Sequence, residues 1–112
     1  MKYYDEEKMK EVRKRLEAVI LKWPGVASKQ MMGCQCYFRG QKFFAFLITK
    51  GIVITKLDGE DRSKLLERPG SKLFTMAGKT SSNWIRLPLR EPGDLAPILP
   101  YVEKSYKVAS GR

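Results

Sequence analysis

The chain reads as an α+β protein of two layers, one antiparallel sheet backed by helices, in the order α-β(3-4)-α-β(2)-α. Three observations carry that reading. Apolar residues recur at three- and four-residue spacing near the N-terminus and again near the C-terminus. Between them the pattern changes to short apolar or alternating runs separated by glycine-bearing turns. The order of these runs then calls for helices packed on one sheet. A length of 112 residues supports one core, so 1–112 is taken as a single domain.

The first helix is the firmest element. Asp5 is its cap, Glu6 and Glu7 suit the positive end of the helix dipole, and Met9, Val12, Leu16, Val19 and Trp23 form its buried stripe. Pro24-Gly25 stops it. Strands follow at Lys29 to Met32, Cys34 to Phe38, Lys42 to Ile48 and Ile52 to Leu57. Arg39-Gly40-Gln41 and Thr49-Lys50-Gly51 are short connections, so these strands pair as an antiparallel meander. Asp58 opens a short helix in which Leu65 and Leu66 make the apolar contacts, and Pro69-Gly70 closes it. Two more strands run from Leu73 to Met76 and from Asn83 to Leu87. A last helix, capped by Asp94, carries Leu95, Ile98, Leu99, Val102, Tyr106 and Ala109 on one side. Pro100 would remove one of its hydrogen bonds, so a kink or a late start is expected.

Charge narrows the class of partner. Lysine and arginine number 22 against 12 acids, a net charge of +10, and the excess is local. No acid lies between Glu17 and Asp58 or between Glu67 and Glu91, yet those windows hold eleven cations. Both windows are largely the strand segments, so the sheet is the basic part of the molecule. Basic residues interleave there with aromatics. Arg39, Lys42, Lys56, Lys79 and Arg86 are candidate contacts to nucleic acid or another polyanion. Tyr37, Phe44, Phe46 and Trp84 are candidate stacking or interface rings. For polyanion binding, Arg39, Lys42, Lys79 and Arg86 must share one face. In Lys42 to Ile48 strict alternation puts Phe44, Phe46 and Ile48 on one side and Phe43, Ala45 and Leu47 on the other. Both sides are apolar, and helices on one side cover only one of them. The second is either wrapped by loops or the last helix, or meets a partner, most simply another copy.

Chemistry at a catalytic or metal site has little to work with. There is no histidine, which removes the commonest general base and any Ser-His or Cys-His pair. Cys34 and Cys36 are the only thiols, one residue apart on a strand. Structural zinc sites use four ligands, and redox pairs usually sit as Cys-x-x-Cys at a helix N-terminus. Two small residues packed on one strand face are the expectation, with no metal and no cofactor. No glycine-rich phosphate loop occurs. No stretch approaches the roughly 20 apolar residues of a membrane span. Met1 to Lys14 has no apolar signal core, so a cytoplasmic location is expected.

Several strings resemble a known family. Trp23-Pro24-Gly25-Val26, Met32-Gly33-Cys34 and Phe38-Arg39-Gly40-Gln41-Lys42-Phe43-Phe44-Ala45 are similar to the "PGV…MFG…F…GKMFA" pattern of TfoX N-terminal-like and YjbR-like small α/β proteins. Ile54 to Leu57 resembles their "LYLK" strand. Phe74, Gly78-Lys79 and Trp84 to Pro88 resemble their later "PF…G+…W..LP" elements, and Asp94-Leu95 through Tyr106 the terminal helix. The resemblance implies an antiparallel sheet backed by helices, like secretion-chaperone subunits, and implies no catalytic residues. TfoX itself regulates competence with a second, C-terminal domain that has no counterpart in these 112 residues, so that role is not implied. Two expectations stand together: a small non-enzymatic regulatory or interaction module, acting as a homodimer, or a nucleic-acid-binding module using the basic sheet. An acidic protein is the other partner that this charge fits.

Overall fold

A computed structural model describes residues 4–31, 33–76 and 78–111. Met32, at which the sequence ends its first strand, lies outside the described residues. The observed order is α1 (Glu6–Ile20), β1 (Val26–Met31), β2 (Cys34–Arg39), β3 (Lys42–Ile48), β4 (Gly51–Ile54), α2 (Gly59–Leu66), β5 (Lys72–Met76), β6 (Lys79–Pro88), a 3-10 turn at Pro92–Asp94, and α3 (Leu99–Ala109). The six strands form one antiparallel sheet in the order β1-β2-β3-β4-β6-β5. The long strand β6 lies between β4 and β5, leaving β1 and β5 as the edges.

The helices cover one face. Met9, Val12, Leu16 and Ile20 of α1, Leu65 of α2, and Val102, Tyr106 and Ala109 of α3 are buried with Tyr37, Phe44, Leu47, Ile52, Ile54, Ile85 and Leu87 of the sheet. Leu66 does not share this role: it is 39% exposed, because the next residue after Leu65 is rotated about 100° around the helix, away from the sheet. α3 starts late, at Leu99. Pro100 therefore sits in the first turn, where its missing N–H has no intrahelical partner to lose.

Charged groups fasten the helical layer. Asp5 caps α1, its carboxylate accepting from the Glu7 N–H at 3.0 Å. Arg13 bridges Glu6 (2.7 Å) and Glu17 (3.0 Å), and the Tyr37 hydroxyl donates to Glu17 at 2.8 Å, tying α1 to β2. Burial and the adjoining Glu17 carboxylate push the Tyr37 hydroxyl far up, so it stays a donor. Lys104 of α3 reaches Asp61 of α2 at 3.0 Å.

Two irregularities decide what faces where. Phe38 pairs with Phe43 but Tyr37 pairs with Ala45, so Phe44 is an extra residue in β3, a β-bulge. Phe44 and Ala45 consequently both belong to the helix-side core, while Phe43, Phe46 and Ile48 belong to the opposite side. This corrects the strict alternation expected from sequence. Ser105 of α3, fully buried, holds the bulge. Its hydroxyl donates to the Phe44 carbonyl (2.6 Å) and accepts from the Lys56 N–H (2.9 Å). β4 ends at Ile54 rather than Leu57 because a helix side chain takes over the Lys56 pairing.

The second irregularity lies in the β5–β6 hairpin. Leu73 pairs with Ile85 and Thr75 with Thr80, leaving Ser81 to Trp84 opposite Phe74 alone. The Ser81 hydroxyl accepts from the N–H groups of Asn83 (3.1 Å) and Trp84 (3.0 Å), closing the bulge on itself. Extra residues bend and twist a strand. The bend explains a contact that a flat sheet forbids: the Phe46 and Phe74 rings meet at 5.4 Å, although β5 is three places from β3, about 14 Å at normal strand spacing. The sheet curls over its own open face, bringing Phe74 onto Phe46, and Cys34, Cys36, Ile48 and Val53 are buried in the same cluster.

Candidate functional site

The open face is built from alternate residues of all six strands. Pairing places Ala27, Lys29 and Met31 of β1 beside Phe38, Cys36 and Cys34 of β2. Phe43 and Phe46 follow on β3, Val53 on β4, Trp84 and Arg86 on β6, and Lys72 and Phe74 on β5, with Lys72 opposite Arg86. Its floor is sealed, yet Met31, Phe38, Phe43 and Trp84 are only partly covered. Three of these form a row of edge-on rings, Phe38 to Phe43 at 5.9 Å and Phe43 to Trp84 at 5.3 Å. The Lys56 ammonium lies 5.7 Å from the Phe43 ring centre, within cation–π range.

The acids and the ion pairs belong to the helical layer and its connections. All 12 acids lie outside the strands. Those in ion pairs engage Arg13, Lys64, Lys104 and Lys107, all on helices. Among the described residues no carboxylate lies within ion-pair distance of Lys29, Lys56, Lys72 or Arg86. The charge of these four cations is thus not neutralised by a described carboxylate.

The structure separates the residues that the sequence groups together. Arg39 pairs with Val26 and Lys42 at the helix-covered end of the sheet. Its guanidinium donates to the Tyr106 hydroxyl and lies 5.0 Å from that ring's centre, while the same hydroxyl donates to the Pro24 carbonyl at 2.7 Å. Arg39 there locks α3 and the α1–β1 turn to β2. Lys42, its neighbour in register, is exposed at the same end. Lys79 stands exposed at the start of the β5–β6 hairpin's second strand. Its register partner Met76 alternates with Phe74 and Lys72, so Lys79 shares the open face with Arg86 and, at the border, Lys56, whereas Arg39 and Lys42 do not; the expected single face of Arg39, Lys42, Lys79 and Arg86 is not formed.

The four rings divide likewise. Tyr37 and Phe44 are fully buried under the helices and present no ring for stacking or for a partner. Phe46 is on the open side but sealed beneath Phe43, Phe74 and Trp84. Trp84 alone of the four has a partly accessible ring on the open face. Residues that the sequence did not single out complete this face: Lys29, Phe38, Phe43 and Lys72. The signal was present in Cys34 and Cys36, whose register neighbours on β1 are Met31 and Lys29.

The thiols are part of the packed floor. Cys34 is 1% and Cys36 2% exposed. Burial pushes the Cys34 thiol up to about 11, with a smaller contribution from Cys36, and burial raises Cys36 also. Neither is a thiolate at neutral pH, the form that attacks electrophiles and binds metals. Among the described residues no three His, Cys, Asp or Glu side chains converge on a point where a metal could sit. No described helix is long and apolar enough to cross a membrane.

No family model matches the chain, and no curated protein matches it. The site's geometry therefore carries the functional reading.

Proposed function

We propose that the chain is a small non-enzymatic binding module, and that the open face of its sheet holds nucleic acid. The observation that supports this is the charge arrangement: a sheet with no acid in any strand, whose Lys29, Lys56, Lys72 and Arg86, with no carboxylate in ion-pair distance among the described residues, share a side with partly exposed rings. Cations for phosphates and rings for bases are the two requirements of sheet-based nucleic-acid recognition. The resemblance to TfoX N-terminal-like and YjbR-like proteins, with the secretion-chaperone-like fold it implies and a cytoplasmic place of action, belongs to the same proposal.

Titration of labelled DNA and RNA across a salt series tests it. The expected result is a linear fall of log affinity with log salt, whose slope counts the phosphates engaged. Reversing Arg86 and Lys72 to glutamate should flatten that slope, whereas reversing Arg39 and Lys42, on the other side, should leave most of it. No binding at about 50 mM salt retires the reading.

A second reading is a homodimer acting on another protein. It is favoured by β1, an edge strand paired in unbroken register to β2 with its central residues exposed. Such an edge is a template for a second copy. Light scattering over a concentration series distinguishes monomer from dimer, and Ser28→Pro, which removes an edge N–H, should abolish a dimer formed this way.

A further inference from the structure

We infer that the open face selects single-stranded nucleic acid, because it ends in a cleft built to take one unpaired base. This rests on the nucleic-acid reading above and deepens it. The cleft lies where β1 meets the β2–β3 turn and has a volume of ≈ 400 Å³. That is at the lower end of the range for small-ligand sites, about 300–1,000 Å³, and has room for one nucleobase and its sugar. Ala27, Met31 and Phe38 line it with apolar surface, and Ser28, Lys29 and Gln41 with polar groups.

The ligand chemistry follows from that lining. A flat apolar ring finds the Phe38 side chain to stack on. The hydrogen-bonding edge of a base finds the Gln41 amide, which both donates and accepts. It also finds the main-chain edge of β1, to which no described strand pairs on that side. The Lys29 ammonium, with no carboxylate within ion-pair distance among the described residues, suits the adjoining phosphate. Phe38 is also the first ring of the Phe38–Phe43–Trp84 row, so the cleft opens directly onto a row of rings bordered by Lys56. A base in a duplex has both faces stacked and its pairing edge occupied, and cannot enter. An unpaired base can.

The test compares a labelled single strand of about twelve nucleotides with the duplex of the same sequence. The folded full chain is used, with melting curves for each variant. The single strand should bind at least about tenfold more tightly. Phe38→Ala should weaken its binding by roughly 5- to 150-fold, the loss of one base–ring stack, while Phe38→Tyr keeps it. Should Phe38→Ala melt early, Ala27→Phe serves instead: position 27 is exposed, and the added ring fills the cleft and should abolish the single-strand preference. Equal binding of duplex and single strand, or full binding by a folded Phe38→Ala or Ala27→Phe protein, overturns the cleft while leaving the broader reading intact. Failure of both nucleic acids to bind at low salt overturns both.

Discussion

Phe46→Ala tests whether the open face of the sheet is a packed floor or a bare surface. Phe46 is 1% exposed, and its ring meets those of Phe43 (6.2 Å), Phe74 (5.4 Å) and Trp84 (5.7 Å). Burying a phenylalanine removes about 150–200 Å² from water, worth ~4–5 kcal/mol at about 25 cal/mol/Å². Alanine retains about 1 kcal/mol of that, and the lost edge-to-face pairs add about 0.5–1.5 kcal/mol. The expected cost is ~3–5 kcal/mol, in line with other large-to-small changes in cores. Against a total of about 5–15 kcal/mol for a domain of this kind, that is a large fraction. Phe46→Leu offers a milder step of about 1–2 kcal/mol. Urea unfolding followed by tryptophan fluorescence gives the midpoint, and an unchanged slope shows that stability rather than compactness has moved. A cost below about 1 kcal/mol for Phe46→Ala, the size of a surface effect, would refute the curl, for it would mean that the β5–β6 hairpin does not close over β3.

Further outcomes follow from the same contacts. Ser105→Ala removes a buried donor from the Phe44 carbonyl and the acceptor of the part-buried Lys56 N–H, and should cost about 1–3 kcal/mol in urea unfolding. Ser110→Ala, whose hydroxyl is exposed, should stay within about 0.5 kcal/mol. With both thiols buried and protonated, neither Cys34 nor Cys36 should be alkylated by iodoacetamide at neutral pH until urea unfolds the chain. The Arg13 guanidinium, then the Tyr4 hydroxyl, hold the Glu6 carboxyl below its ordinary value. A depressed folded value gives stability present above the unfolded value, about 4.3, and lost as pH falls through the folded one. Urea midpoints measured downward from pH 6 should therefore fall less steeply in Glu6→Gln than in the wild type.

Much of the fold is legible in the sequence, because it rests on local signals. The α1 stripe is set by helical spacing, and β3 begins and ends at its turns. What eludes the sequence depends on distant partners. The bulge at Phe44 is held by Ser105, 61 residues away, and it reverses which neighbours of Phe44 share its face. β6 begins at Lys79, four residues before the expected start at Asn83, because Lys79 and Thr80 pair with β5; their own polar side chains give no strand pattern. The candidate site suffers from the same cause. Face membership follows register, and one bulge sends Phe44 and Ala45 together to the helices. The basic, acid-free character of the strands survives that shift, since it belongs to all six of them. The particular cations and rings do not, and Lys29, Phe38, Phe43 and Lys72 take the place of Arg39, Lys42, Tyr37 and Phe44.

The molecule offers a direct reporter of the surface in use. Its two tryptophans lie on opposite sides of the sheet: Trp84 in the open-face ring row, and Trp23 against Phe44 and Tyr106 on the helix side. Two indole N–H signals in a nitrogen–proton NMR spectrum therefore distinguish the faces without any mutation. On titration with a single-stranded oligonucleotide the Trp84 signal should shift and broaden while that of Trp23 holds its place. A shift of Trp23 alone, or of neither, would contradict the open sheet face as the binding surface.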